Sequence, residues 1–424
     1  MRGIFIKKND VLTNEFLERL SVVYGDEAKL QQDRFYNLAE TFEKDFAECD
    51  DMRFFSAPGR TEVGGNHTDH NNGKVLAAAV NLDAIAAVSK RDDGIICVNS
   101  AGYTPITVDS ADHEIKDNEA GKSDALIRGV CARFKELGYN YGGFNASVTS
   151  RVLSGSGLSS SAAYEVLIGT ILNYLYNDGK ISAVEIAQIS QFAENVYFKK
   201  PCGLMDQTAC SVGGFVQIDF EDTSKPVINK VDFDIAKHGY ILCIVDTGGN
   251  HADLTGDYAA IRLEMNSVAE YFGKNVLRQV DEKEVFENIG EIRKKTGDRA
   301  IERAIHFYNE NKRVERLANA LSDGNFDEFK NIIIESGKSS YMYNQNCFTL
   351  SNPDEQPVAL ALCICEELLK GKGAYRVHGG GFAGTIQAFV PETDAESFVA
   401  SMRKVFGENS CYILKVRSHG GCEI

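Results

Sequence analysis

A chain of 424 residues is longer than one hydrophobic core usually fills, so two domains are expected. Its apolar content of 43% and charged content of 25% are those of an ordinary globular protein. The formal charge of −16 argues against nucleic acid as a partner, because phosphate backbones bind to basic surfaces.

The first fifty residues are charged and helical in pattern. From residue 53 to 98 the period shortens toward that of strands, interrupted by a polar, glycine-bearing run over 59–73. Lys90-Arg91-Asp92-Asp93-Gly94 predicts a hairpin turn joining strands at 84–89 and 95–99. A helix over 123–137 and a strand over 144–148 follow. Next come Gly155, Ser156 and Gly157, and then Ala162, Ala163, Val166, Leu167, Ile171, Leu172 and Leu175 at helical spacing, with stop signals at Asn177, Asp178 and Gly179. Ser182 and Glu185 form a capping box for a helix with an apolar face of Ile186, Ile189, Ala193 and Val196. The weakly patterned stretch 223–239 marks the domain division, placed at 225/226. Beyond it lie a strand over 240–245, long charged helices to about 335, and a strand–turn–strand unit around Gly379–Gly384. Helices and strands mix without regular alternation, which predicts an α+β fold.

The longest apolar stretch, 75–88, is broken by Asn81 and Asp83, so no membrane partner is expected. The opening residues lack the apolar core of an export signal. The eleven cysteines are scattered without metal-ligand spacing, which predicts reduced thiols, a cytoplasmic location and no structural zinc site.

Four clusters carry candidate chemistry. A glycine turn running into a helix aims unpaired N–H groups and the positive dipole end at one point, which is an anion site. Ser159, Ser160 and Ser161 add hydroxyls for phosphate or magnesium, and the absence of a closing Lys-Ser or Lys-Thr excludes a P-loop. The run 57–70 is dense in donors and acceptors: Arg60 offers a planar fork for phosphate, and Asn66, His67 and Asp69 offer groups suited to sugar hydroxyls. In the third cluster, Lys200 to Gln207, Asp206 follows a proline and a glycine and could accept a proton from an attacking hydroxyl. Glu194, on the capped helix, could complete a magnesium site with Ser161, although a helical glutamate is commonly only solvated. The fourth cluster, His378 to Gly384, read alone is equally a plain tight turn.

In this order, the clusters resemble the GHMP sugar-kinase superfamily, and within it the galactokinases. Residues 57–69 are similar to the signature Arg-Val-Asn-Leu-Ile-Gly-Glu-His-Thr-Asp-Tyr, 155–163 to the nucleotide loop, 202–207 to the segment with the catalytic aspartate, and 379–384 to the third motif. Residues 246–251 and Tyr258 are similar to that family's strand end and sugar-contacting tyrosine. The resemblance implies two lobes with the site between them, the first like ribosomal protein S5 domain 2 and the second a ferredoxin-like α+β lobe. It implies ATP and Mg2+, with Gly155, Ser156, Gly157, Leu158, Ser159, Ser160, Ser161 and Ser100 on the nucleotide, and Ser161 with Glu194 on the metal. Asp206 and Arg60 would be catalytic, and Asn66, His67, Thr68, Asp69 and Tyr258 would line the sugar. The implied reaction is phosphorylation of the anomeric C1 hydroxyl of galactose, by a monomer.

The chain departs from the signature at three positions: Asn66 stands for the glutamate, Glu62 for the asparagine and His70 for the final tyrosine. An amide at 66 removes an anionic acceptor and its repulsion toward an acidic sugar. Galacturonate is therefore the runner-up substrate, ahead of N-acetylgalactosamine or arabinose. A sugar and ATP sensor without turnover is the reading from another class.

Overall fold

The computed structural model describes residues 6–47, 52–152, 157–249 and 254–424. Two amphipathic helices open the chain, α1 (Asn14–Tyr24), capped by the Thr13 hydroxyl, and α2 (Ala28–Phe46). The strands β1 (Arg53–Gly64), β2 (Lys74–Arg91), β3 (Ile95–Ser100) and β4 (Ile106–Asp109) follow. Then come α3 (Ser123–Glu136), β5 (Gly143–Ser150), α4 (Ser160–Tyr176), α5 (Ala183–Phe192), α6 (Met205–Val212), β6 (Phe215–Asp219) and β7 (Val227–Val231). The Ser182–Glu185 capping box is formed, and α5 continues into a π-helical turn, Ala193–Tyr197.

These strands, with the C-terminal β12 (Cys422–Glu423), build the first sheet, in the order β12-β1-β2-β5-β3-β4, with β6 on β2 and β7 on β6. The expected hairpin at 90–94 turns tightly, but its two strands do not pair. β5 lies between them, antiparallel to β2 and parallel to β3. Gly143 permits this insertion, since a Cβ there would lie 2.6 Å from the Ile95 carbonyl oxygen. Turn chemistry is local, whereas the choice of pairing partner is made by a strand fifty residues away.

Adjacent phenylalanines show how the sheet is covered. Phe54 faces α1 and α2, where Phe16, Phe35 and Phe54 meet edge to face at 5.5–5.8 Å. Phe55 points to the opposite face and the core under α3, α4 and α5. The residues expected to line α4 and α5 are buried there, Leu175 and Val196 only partly.

The remaining chain runs β8 (Tyr240–Asp246), α7 (Thr255–Tyr271), α8 (Glu282–Glu287), α9 (Ile289–Thr296), α10 (Asp298–Ser322), α11 (Phe326–Ser339), α12 (Pro357–Leu369), β9 (Ala374–His378), β10 (Thr385–Pro391), α13 (Ala395–Phe406), β11 (Cys411–Leu414) and β12 (Cys422–Glu423). The second sheet is antiparallel with the order β11-β8-β10-β9, the strand order of a ferredoxin-like unit. Its two faces alternate along β8: Leu242 and Ile244 join the core of the first sheet, whereas Cys243 and Val245 pack with α12 and α13. The two lobes therefore share one continuous core. β7, beyond residue 225, and β12, at the C-terminus, both belong to the first sheet. Among the described residues, no helix is long and apolar enough to cross a membrane.

Candidate active site

The site gathers where β1, the start of α4, the start of α6 and the β9–β10 turn meet. The edge of β1 not covered by β12 offers the Arg60 N–H to the Leu158 carbonyl at 3.1 Å. This contact brings the loop before α4 against the strand. Gly59 permits it, because a Cβ there would stand 2.8 Å from that oxygen. Gly157 (φ +73) and Ser159 (φ +59) both adopt left-handed backbone, turning the loop into the helix. The apolar Leu158 side chain points into the core.

Arg60 then reaches Asp206, in the first turn of α6, with both arms of its fork: Nε to Oδ1 at 2.7 Å and Nη2 to Oδ2 at 2.6 Å. Its Nη1 donates to the Gly157 carbonyl. Ser159 Oγ donates to Asp206 Oδ2 at 2.6 Å. Burial pushes the Asp206 carboxyl up, but the Arg60 charge and the hydrogen bonds from Arg60 and Ser159 outweigh it and hold it below the ordinary carboxylate range. Asp206 is thus ionised and still 26% exposed.

Beside this group, Ser161 Oγ donates to Glu194 Oε1 at 3.0 Å. Glu194 is not a solvated surface glutamate: it is 2% exposed, on the π-helical turn, with Lys200 Nζ at 2.9 Å and Gln207 Nε2 at 2.7 Å. Sequence reasoning did not single out Glu165, which lies behind this pair. It is fully buried, bonded to Gln207 Nε2 at 3.3 Å, and pushed well above the carboxylate range by burial and by Glu194. Its spacing of four from Ser161 on one helix face was the available signal. Gln207 and Lys200 belong to the third cluster, where their residue types alone point to no role.

The sugar-side residues divide. His67 (φ +57) and Asp69 are half-buried, and His67 Nε2 donates to the Gly380 carbonyl at 2.9 Å, which leaves Nδ1 as an acceptor. Burial lowers the His67 pKa to about 4, so the ring is neutral. Burial also raises the Asp69 pKa. Gly203, on the Asp206 segment, leaves room for Asp69, since a Cβ would lie 2.4 Å from Asp69 Oδ2. Tyr258 donates to the Gly381 carbonyl at 2.8 Å and stands edge-on to Phe382.

Asn66 and Thr68, expected at the sugar, are both fully buried and engaged by the protein. Asn66 Nδ2 donates to Glu62 Oε1 at 3.0 Å and to the Gly379 carbonyl at 2.7 Å, while its Oδ1 accepts from Ser340 and Asn346. Thr68 Oγ1 bonds the Gly65 and Lys74 carbonyls. Both residues hold the loop in shape, because a buried polar atom left unpaired is costly. Glu62 in turn pairs with buried Arg376 at 2.8 Å. Relative to the signature, acid and amide have exchanged places, and the acid is neutralised inside the protein.

Ser100 is set apart from this network. It ends β3 and lines a cavity of about 690 Å³ together with Arg34 and Asn37 of α2 and with Arg151. Gly155 and Ser156 lie outside the described residues, as do Asn250 and His251.

Residues 125–214 match the family described as GHMP kinases N terminal domain, and residues 40–90 match the galactokinase galactose-binding signature. The chain is 32% identical to a galactokinase of Streptomyces coelicolor over 360 residues, covering 83% of this chain and 88% of that one. It is 31% identical to a galactokinase of Glaesserella parasuis, covering 88% and 93%. Its fold is similar to that of Lactococcus lactis galactokinase complexed with galactose (TM-score 0.78, 23% identity, 92% and 100% covered) and to a mevalonate kinase (TM-score 0.61, 13% identity, 86% and 99% covered).

Proposed function

The chain belongs to the galactokinase family of the GHMP kinases, and on that premise we propose how its residues carry the terminal phosphoryl group of ATP to the anomeric hydroxyl of galactose. The observation that carries this reading is the junction of Asp206, Arg60 and Ser159 at the mouth of the phosphate loop.

His67, Asp69 and Tyr258 line the sugar and present its C1 hydroxyl to Asp206. Asp206 is held ionised, so it aligns the hydroxyl and receives its proton late, as suits a loose phosphoryl-transfer transition state. The Arg60 fork neutralises charge on the phosphoryl group in flight. As it turns to the phosphate it releases Asp206, whose proton affinity rises when a proton arrives. The N–H groups at the start of α4 and the Ser160 hydroxyl cradle the phosphates, while the Ser159 hydroxyl serves Asp206. Ser161 and Glu194 fit Mg2+, which takes few protein oxygens and completes its shell with phosphate and water, and Lys200 stands where that cation would relieve it. When bound, Mg2+ supplies charge neutralisation on the phosphate oxygens. Glu194→Gln should raise the Mg2+ concentration for half-maximal activity by about 10- to 100-fold, read from magnesium titrations at fixed ATP.

We further propose that residues 1–225, joined in their sheet by β7 and β12, form one lobe and the rest of 226–424 the other, with this cleft between them, and that the protein acts in the cytoplasm as a monomer. The ten cysteines among the described residues are all free, which supports a reducing compartment.

A substrate panel tests the reading. Assayed with MgATP against galactose, galacturonate, N-acetylgalactosamine and arabinose, the protein should show the highest kcat/KM for galactose. The exchange of Glu62 and Asn66 favours galacturonate as the second reading, and a more than tenfold preference for it would overturn galactose. Binding of sugar and ATP with no release of ADP would establish the sensor instead.

A further inference from the structure

On β1, the N–H groups of residues 60 and 62 face the same side, because alternate residues of a strand share an edge. β12 covers that edge only at Phe55 and Ser56. The Arg60 N–H is taken by Leu158, as described, and the Glu62 N–H meets His378 Nε2 at 3.3 Å. A loop and a side chain thus stand where a neighbouring strand would lie, and the side chain comes from the end of β9 in the other sheet.

The hydrogen bonds assign the ring's tautomer. A backbone N–H can only donate, so Nε2 is the bare nitrogen and Nδ1 carries the proton, which goes to Thr385 Oγ1 at 2.8 Å. Thr61 Oγ1 accepts from Gln387 Nε2 at 2.7 Å and passes its own proton to His378 Nε2 at 3.0 Å. The ring is 2% exposed, and burial followed by the charges of Arg60 and Arg376 lowers its pKa to about 3. Both nitrogens are therefore spent on protein partners. The phosphate loop also lies against this group: a Cβ on Gly157 would stand 3.1 Å from Thr385 Oγ1 and 3.2 Å from the ring.

We propose that His378 is a positioning residue for phosphoryl transfer: through Thr61, Glu62 and Thr385 it holds the Arg60 strand and Gly157 in register across the two sheets. It touches no substrate; it fixes the place from which the Arg60 fork reaches Asp206 and the transferred group. The inference rests on the kinase reading, which turnover of any panel sugar by the unmodified protein secures independently.

His378→Ala should lower kcat by about 10- to 100-fold, the usual cost of misplacing a catalytic group by roughly an ångström, and change KM for sugar and ATP by less than about threefold. His378→Gln, which can place an acceptor near the Glu62 N–H, should recover most of the loss. In an Arg60→Lys background, His378→Ala should cost little more, since the fork it positions is gone. An unchanged kcat, or an equal loss in both backgrounds, overturns the proposal. If His378→Ala does not fold, Thr385→Val carries the test: several-fold lower kcat with unchanged KM supports it, and unchanged kcat overturns it.

Discussion

Asp206→Asn should lose about 10²- to 10⁴-fold in kcat, the range for removal of a positioned acid or base, while nucleotide affinity stays within about twofold. The substitution keeps the side chain's size but replaces one of two acceptor oxygens by a donor. That donor faces Arg60 Nε or the Arg60 Nη2 and Ser159 Oγ pair, all of which donate in the native arrangement. The remaining amide oxygen aligns a hydroxyl only weakly and takes no proton. Nucleotide affinity should be spared because, in the proposed site, the start of α4 holds the phosphates and Ser161 with Glu194 would hold Mg2+, and neither needs a charge at position 206. Steady-state kinetics together with calorimetric titration of a non-hydrolysable ATP analogue measure both quantities. A fully active variant would refute the role given to Asp206.

The second large effect concerns stability and lies on the opposite face of the first sheet. Asp83 is fully buried, and its Oδ2 accepts from Tyr24 at 2.6 Å, Ser56 at 2.5 Å and Arg417 at 2.9 Å, while Oδ1 pairs with Arg34. One carboxylate therefore fastens the opening helices and the C-terminal segment to the strands that carry the site. Asp83→Ala leaves the Arg34 and Arg417 guanidinium groups buried without their counter-charge, and should cost about 3–5 kcal/mol, the usual result of removing one partner of a buried pair. Burial raises the Asp83 pKa, but the two arginines and the hydroxyls outweigh it and leave it below the ordinary value. The stabilisation it provides is complete above the unfolded-state carboxylate range and disappears as pH falls through the folded value. Denaturant unfolding at neutral and acid pH should show a variant weakened at neutrality, with a shallower further loss in acid. A variant within about 1 kcal/mol of the parent at neutral pH would discard this account of the network.

Elements built from short-range periodicity could be read directly. The apolar spacing and stop signals of α4, the capping box of α5 and the strand β8 all depend on residues within one or two turns of each other. Arg60, Asp206, Ser161 and Glu194 could be named from motifs, and the fold brings them together in two adjoining hydrogen-bonded groups. Asn66 and Thr68 defeat such reading for one reason. Their residue types suit a sugar, but whether a polar side chain faces a ligand or the interior depends on which groups arrive beside it: for Asn66 the Ser340 hydroxyl, the Asn346 amide and the Gly379 carbonyl, and for Thr68 the Gly65 and Lys74 carbonyls.

By itself, the sequence determined the mixture of helices and strands, a helix start suited to an anion, the residues able to carry charge and protons, and the sugar-kinase resemblance. These are properties of neighbours along the chain. Only the tertiary structure decided that β5 parts β2 from β3, that Glu62 spends its charge on Arg376, that Glu165 lies behind the proposed metal pair, and that His378 ties one sheet to the other. Two of those outcomes, Glu62 on Arg376 and His378 on Thr61, give a buried polar group a partner distant in sequence. Burial makes that partner obligatory, and nothing local identifies it.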